Sequence, residues 1–292
     1  MHMKIGVVGT RGGWSSELLA DTVAAKTGFR LLVDMEQVCL DLDSGKAWIG
    51  GVDLGGLDGL IIKKIGARYS PDLLDRLELL RFLAQRGLPI FSSPLSIMRV
   101  LDRLSCTVTL RLGDIPMPPT TITESVDEAL GAVERYGAAV FKPLFTSKAR
   151  GMTVIAHGPE ARALIAAFHA ENPIMYLQQK IELPGQDLGV VFLGGKYLTT
   201  YARCGTGAWN TTIESGGKYA PATPGAETLR MAEKAQALFN LDFTCVDVVE
   251  SASGPVVFEV SAFGGFRGIQ DACGLDAAAM YTDYVMEKIR GL

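Results

Sequence analysis

Histidine is scarce in this sequence, and its cysteines stand apart from one another. The three histidines, at positions 2, 157 and 169, lie in no polar cluster. A Ser-His-Asp hydrolase or a histidine-ligated metal site is therefore not expected. The five cysteines are scattered and include no CxxC pair, which indicates free thiols in a reducing compartment rather than a zinc site. Any chemistry is expected to depend on Lys, Arg, Asp and Glu.

The sequence also lacks long apolar runs and any excess of basic charge. No apolar run reaches the roughly 18 residues that a membrane-spanning helix needs. The start, MHMKIGVVGT, enters a strand at once, unlike a signal peptide. A net charge of −4, from 28 basic and 32 acidic residues, creates no basic field for nucleic acid. We therefore expect a cytoplasmic protein that binds neither membranes nor nucleic acid.

What is present is a pattern for a mixed α/β and α+β protein of 292 residues. Strands and helices alternate over residues 1–95, which predicts a Rossmann-like domain with a parallel sheet. A glycine-rich turn follows the first strand, but it is not GxGxxG, so it is a weak signal for a dinucleotide. A helix is predicted over residues 96–112. We expect a central α+β unit over residues 96–182 and a C-terminal one over residues 183–292.

Two carboxylates near the C-terminus are the most informative residues. Asp247 and Glu259 each have apolar neighbours in a short strand, and a Ser-Gly-Pro turn lies between the strands. If both acids face inward, they repel each other unless a cation lies between them, and Mg²⁺ prefers one or two carboxylates plus phosphate oxygens. If the strands simply alternate, both acids face water. The pattern alone leaves both interpretations open.

Lys142 ends an apolar strand and is followed by a basic, glycine-containing loop over residues 145–152. A lysine beside mobile cations and backbone amides suits a phosphate, although a solvated lysine at a strand end is an equally simple interpretation. Downstream, backbone groups of residues 179–181 suit an adenine edge, and Asp187 suits ribose hydroxyls. An ordinary strand and turn would give the same pattern.

The order of these features resembles the ATP-grasp superfamily, and more closely its RimK-like amino-acid ligases, over nearly the whole chain. The resemblance extends to DGLIIKKIG before a long helix, to Ser93-Pro94 after it and to Leu101-Asp102-Arg103. It implies three α/β domains, with two α+β subdomains that clamp ATP behind an N-terminal Rossmann-like domain. It also implies ATP and Mg²⁺, or Mn²⁺ in its place, as cofactors, and a homo-oligomer.

The resemblance assigns roles to particular residues. Lys142 corresponds to a phosphate-binding lysine, and Arg103 stands where another is usual. Lys148 and Lys218 are candidate anion partners that no family position supplies. Asp187 corresponds to the ribose-binding acid. The adenine-binding segment corresponds to Gln178, Gln179, Lys180 and Ile181. The magnesium ligands correspond to Asp247, Glu259 and Ser261, and Arg203 corresponds to a basic residue that faces the phosphates or the acyl group.

Three departures from the family pattern matter. Arginine at position 103 keeps the positive charge, but its planar guanidinium is wider than the compact ammonium group of lysine. Glu259-Val260-Ser261 replaces the usual Glu-x-Asn, so one metal is expected to bind through water or to be absent. The loop over residues 209–217 lacks the arginines of glutamate ligases, so the resemblance does not establish glutamate as the substrate.

The resemblance predicts an ADP-forming ligase that joins a carboxylate to an amine through an acylphosphate, and so adds glutamate or another amino acid to a small-molecule or protein acceptor. The turn over residues 9–16, Lys63, Lys64 and the 204–218 loop are expected to line the substrate pocket. One alternative is an ATP-binding regulatory or scaffold protein of the same fold that has reduced catalysis. Another is an NAD-type oxidoreductase, which leaves Lys142, Asp247 and Glu259 without a role.

Overall fold

The computed structural model of the chain describes residues 3–147, 149–205, 211, 213 and 216–292. Within those ranges the strands form sheets of four, four, five and three strands. No helix in the described ranges is long and apolar enough to cross a membrane. Helices and strands are numbered below in chain order.

The N-terminal part contains a parallel sheet with a small antiparallel insertion. Its elements are β1 (Ile5–Val8), α1 (Trp14–Thr27), β2 (Leu32–Val33), β3 (Cys39–Asp41), β4 (Lys46–Ile49), β5 (Val52–Asp53), β6 (Gly59–Ile62), α2 (Asp72–Gln85) and β7 (Ile90–Phe91). The sheet has the order β2-β1-β6-β7, and all its pairs are parallel. Strands β1 and β6 are buried along their whole length, as expected for a parallel sheet that is covered on both faces. The predicted parallel α/β arrangement is confirmed.

The region predicted as one helix over residues 96–112 is two helices. These are α3 (Pro94–Leu101) and α4 (Arg103–Leu112). Asp102 between them has an extended backbone, with φ −79° and ψ 113°, and its carboxylate accepts the N–H groups of Leu104 and Ser105. The prediction was wrong because an aspartate that caps one helix also ends the one before it, and neither Gly nor Pro marks the break.

The middle of the chain forms an antiparallel sheet with two helices on it. Its elements are β8 (Thr120–Thr123), α5 (Val126–Tyr136), β9 (Ala138–Lys142), β10 (Thr153–Ala156), α6 (Ala161–Glu171) and β11 (Met175–Gln179). The strand order is β10-β9-β11-β8. This sheet has its own core, in which Phe141, Ile165 and Leu177 are buried together.

The C-terminal part forms a five-stranded antiparallel sheet in the order β14-β13-β12-β15-β16. Its elements are β12 (Gln186–Leu193), β13 (Lys196–Cys204), β14 (Lys218–Pro221), α7 (Ala226–Ala237), β15 (Phe243–Ser251), β16 (Gly254–Ser261), α8 (Phe266–Cys273) and α9 (Ala277–Arg290). On β12, Val190 joins a core that contains Leu60 of β6, and Val191 joins a core that contains Ile5 of β1. The N-terminal and C-terminal sheets therefore share their cores, while the middle sheet packs separately. The division at residues 95 and 182 stays a prediction.

Candidate active site

The two predicted metal-binding acids lie directly opposite each other. In the β15–β16 hairpin the register pairs Asp247 with Glu259. The side chain of Asp247 is 16% exposed and that of Glu259 is 48% exposed. Opposed residues of an antiparallel pair project from the same face of the sheet. The hairpin therefore brings two carboxylates of different exposure to one place.

Each acid has an arginine partner that comes from another element. Arg203 of β13 places Nη2 3.0 Å from Oδ1 of Asp247, and Arg103 of α4 places Nη1 3.6 Å from Oε2 of Glu259. Burial raises the pKa of Asp247, while the charge of Arg203 opposes that change. The sequence pattern left open whether a cation lies between the two acids. The family resemblance placed Arg103 and Arg203 at the phosphates or the acyl group, and the structure pairs them with Glu259 and Asp247.

Arg203 also holds Asp187, which lies opposite it in the β12–β13 register. Nε of Arg203 donates to Oδ2 of Asp187 at 2.9 Å, and the hydroxyl of Thr211 donates to Oδ1 of the same buried carboxylate. Arg203 is therefore shared between two acids. The ribose-binding role of Asp187 stays a prediction, and a ribose hydroxyl there would share these oxygens with Arg203 and Thr211.

Lys142 stands at the end of β9 and points into the protein. Its Nζ donates to Oε1 of Gln178 at 2.6 Å and lies 5.3 Å from the ring centroid of Phe258. Burial lowers the pKa of Lys142 to about 7, helped by the charge of Arg103, while Glu259 acts in the opposite direction. This environment favours the phosphate-site interpretation over a solvated strand end, because an anion would stabilise the charged amine.

The predicted adenine segment divides into two parts. The side chain of Gln178 is buried and also donates to the hydroxyl of Thr120 at 3.1 Å, so it belongs to the surroundings of Lys142. The N–H groups of Gln179 and Lys180 donate to backbone carbonyls of Pro119 and Ala138. An adenine edge would therefore have to meet other backbone groups, such as the N–H of Ile181.

Ser261 ends β16, and its hydroxyl oxygen accepts the N–H of Phe263 at 3.3 Å. Ser261 lines a pocket together with Arg103 and Glu259. Tyr69 and Cys106 line the same pocket. No sequence signal pointed to Tyr69 or Cys106. Lys148 lies outside the described residues, as do most residues of the loop predicted to line the substrate pocket.

The location of Lys63 differs from the one that the sequence predicted. Lys63 was expected to line the substrate pocket, but it is only 2% exposed. Its amine donates to the carbonyl oxygens of Phe263 and Gly264, the latter at 2.8 Å. The lysine side chain enters the protein because the segment after β16 offers these two acceptors.

The donor set of the site fits a hard divalent ion together with phosphate. Asp247, Glu259 and Ser261 present oxygen atoms, whereas Arg103 and Lys142 present positive charge beside them. Mg²⁺ prefers this combination of one or two carboxylates with phosphate oxygens. Among the described residues there is no cluster of three or more His, Cys, Asp or Glu side chains that suits a self-contained metal cage.

Comparison with known proteins identifies the family of this chain. Residues 100–285 match the family model of the RimK-like ATP-grasp domain. The tetrahydromethanopterin:alpha-L-glutamate ligase of Methanosarcina acetivorans is 24% identical, over 97% of this chain and 98% of the relative.

Two solved structures share the fold. The ATP-grasp ligase PsnB in complex with a minimal precursor has a TM-score of 0.77 at 15% identity, over 99% of this chain and all of that one. A RimK domain ATP-grasp protein from Sphaerobacter thermophilus has a TM-score of 0.74 at 21% identity, over 96% of this chain and 98% of that one. The chain therefore belongs to the RimK-like ATP-grasp family.

Proposed function

We propose that this chain, an ATP-dependent ligase of the RimK-like ATP-grasp family, joins a small-molecule carboxylate to an amine through an acylphosphate, with release of ADP. The observation that carries the proposal is the opposition of Asp247 and Glu259 across one hairpin, near the partly buried amine of Lys142, whose pKa burial lowers and the charge of Glu259 raises. Oxygen ligands and a buried cation at one place are what a Mg²⁺–triphosphate requires.

ATP supplies the phosphoryl group in this reaction, and Mg²⁺ or Mn²⁺ supplies charge neutralisation at its phosphate oxygens. Asp247, Glu259 and Ser261 would hold the metal. The residues that would hold the nucleotide are Arg103, Lys142, Lys148, Gln178, Gln179, Lys180, Ile181 and Asp187. Arg103 also donates to the carbonyl oxygens of Pro143 and Thr146 at 3.1 and 3.2 Å, so it holds the start of the loop after β9 against the site.

Catalysis would then depend on positioned charge. Lys142, whose amine donates to Gln178 at 2.6 Å, would stabilise a transferring phosphoryl group. Arg203 lies 3.0 Å from Asp247, where its guanidinium can bind the carboxylate that is activated. Neither step needs a histidine. Both need water to be excluded from the pocket.

The substrates are proposed only as classes. The Methanosarcina relative is named for ligation of glutamate, so glutamate or another amino acid is a suitable first choice. Assembly into a homo-oligomer, which the resemblance implies, is part of the proposal. A cytoplasmic location is also part of it, and the unpaired state of all five cysteines supports that location.

Steady-state ADP release tests the proposal. The protein is incubated with Mg·ATP and a panel of carboxylic acids and amines, and one pair is expected to stimulate ADP formation. With that pair, Lys142→Ala and Glu259→Gln are each expected to lower kcat by about 100-fold or more. The first removes a positive charge that would stabilise the phosphoryl group, and the second removes a carboxylate that would hold the metal ion. Lys196→Ala and Glu233→Gln, at exposed positions, are the matched controls.

Unchanged ADP release by both site variants would contradict the assignment. The Glu-x-Ser motif favours one alternative, an ATP-binding regulatory protein with reduced catalysis. Calorimetry with Mg·ATP separates the two functions. Tight binding without ADP release on any acid–amine pair would support the regulatory protein.

A further inference from the structure

Lys63 is a buried amine that the mechanism does not use. It follows β6 in the N-terminal part of the chain and is 2% exposed. Its contacts lie 200 residues further on, at the carbonyl oxygens of Phe263 and Gly264. In the described ranges no carboxylate forms an ion pair with it.

The surroundings of Lys63 offset only part of the cost of its burial, and burial lowers the pKa of its amine well below the usual range. Desolvation of an amine is costly unless its N–H groups find hydrogen-bond acceptors and its positive charge is compensated. Besides the two carbonyls, Nζ lies 3.7 Å from the ring centroid of Phe266 and 5.8 Å from that of Phe243. The negative ring faces stabilise a cation at these distances. The amine is therefore held at a defined place between the N-terminal sheet and the segment after β16.

Ser261 is the last residue of β16, directly before that segment, and two hydrogen bonds of Phe263 connect the serine with Lys63. The N–H of Phe263 donates to the hydroxyl oxygen of Ser261 at 3.3 Å, and the carbonyl of Phe263 accepts from Lys63. The carbonyl of Ser261 accepts from the hydroxyl of Thr244 at 2.9 Å. Gly264 lies so close to the Phe243 ring that a Cβ would clash with it. Contacts on several sides thus fix the backbone of this turn.

We propose that Lys63 is a positioning residue that places Ser261 for metal binding, through the backbone of Phe263 and across the interface between the N-terminal and C-terminal sheets. The inference rests on the proposed function, because it concerns the same metal site. A serine side chain has only one carbon between its backbone and its oxygen. Whether that oxygen reaches an ion is therefore decided by the backbone, and Lys63 holds that backbone.

The affinity of the ADP complex for Mn²⁺, measured by electron paramagnetic resonance, tests the inference without use of activity. Lys63→Met keeps the length of the side chain but removes its donors. We expect it to weaken Mn²⁺ binding by about tenfold, as is typical when a support of a metal ligand is lost. Leu77→Ala, in the buried core of α2, is the control for a general loss of stability. At a comparable decrease in Tm it is expected to leave Mn²⁺ affinity unchanged.

A double variant locates the effect. If Lys63 acts through Ser261, Lys63→Met together with Ser261→Ala binds Mn²⁺ as weakly as Ser261→Ala alone. Full additivity, or a Lys63→Met variant that loses Tm but keeps its Mn²⁺ affinity, would overturn the inference and leave the proposed function intact. Failure of the unmodified protein to bind Mn²⁺ with ADP would overturn both.

Should Lys63→Met fail to fold, Lys63→Gln serves instead, because its amide can still donate to one carbonyl. It is expected to weaken Mn²⁺ binding in the same direction by a smaller factor. Unchanged affinity in this variant would equally overturn the inference.

Discussion

At the scale of single residues, the candidate site balances charges that come from distant parts of the chain. Arg203 lies between Asp187 and Asp247, and Arg103 lies beside Glu259. Removal of one partner of a buried pair leaves the other charge uncompensated, which destabilises a protein more than loss of a surface pair. Variants of these residues are therefore expected to change folding stability as well as ligand binding, and both must be measured.

Lys142 predicts a pH dependence of stability. Burial lowers its pKa from 10.5 to about 7, with Arg103 acting in the same direction and Glu259 in the other. Between these two values the unfolded chain binds the additional proton, so this group makes stability rise with pH from about 7 to 10.5. Lys142→Met removes that slope. We expect it to be more stable than the unmodified protein near neutrality and to lose this advantage as the pH rises.

Urea denaturation at a series of pH values checks this expectation. Lys196→Met, at an exposed lysine, is the control and is expected to follow the unmodified protein at every pH. Parallel stability profiles for Lys142→Met and the unmodified protein would show that the amine is not desolvated.

At the scale of elements, the break between α3 and α4 decides where Arg103 lies. Asp102 caps α4 by accepting the N–H groups of Leu104 and Ser105 at 3.1 and 3.3 Å, and Arg103 is the first residue of that helix. One continuous helix would have pointed residue 103 in a different direction, because side-chain directions follow the helical repeat. The cap therefore contributes to the site through the arginine next to it.

Asp102→Ala tests the cap. We expect a loss of about 1 kcal/mol in the free energy of unfolding, which is typical when an N-cap acceptor is removed. Asp102→Asn keeps an acceptor oxygen, and its free energy of unfolding is expected to fall by only a few tenths of a kcal/mol. Chemical denaturation measures both variants. Equal stability of the two would mean that the capping hydrogen bonds do not contribute.

At the scale of the whole molecule, the site exists only where separate sheets meet. Lys142 comes from the middle sheet, and Asp247 and Glu259 come from the C-terminal sheet. Tyr69, which lines a pocket together with Glu259, comes from the N-terminal part. A ligand that touches all three parts binds the folded chain and not the unfolded one. Binding must therefore raise the stability of the whole molecule.

Thermal unfolding with Mg·ADP tests this linkage. At a ligand concentration about 100 times the Kd, stability is expected to increase by about 2.7 kcal/mol. Addition of EDTA is expected to remove most of the rise in Tm, because the carboxylates of Asp247 and Glu259 then repel the phosphates. NADH is the control ligand. An equal rise in Tm with NADH would instead favour the oxidoreductase alternative.

Much of the fold could be predicted because it depends on local pattern. The parallel sheet of the first 91 residues follows from its buried apolar runs, and the opposition of Asp247 and Glu259 follows from a short turn between two strands. The break at Asp102 was missed because the same residue type suits both a helix cap and a surface position in a helix.

The sequence by itself determined most of the strands and helices and which acids share a hairpin. Within one helix or one hairpin, the geometry of the backbone decides which side chains lie on one face. Only the tertiary structure decided the partners of the buried charges. Arg203 joins Asp187 to Asp247, and Lys63 reaches Phe263 across 200 residues. Those partners depend on how separate elements pack, and the packing exists only in the folded chain.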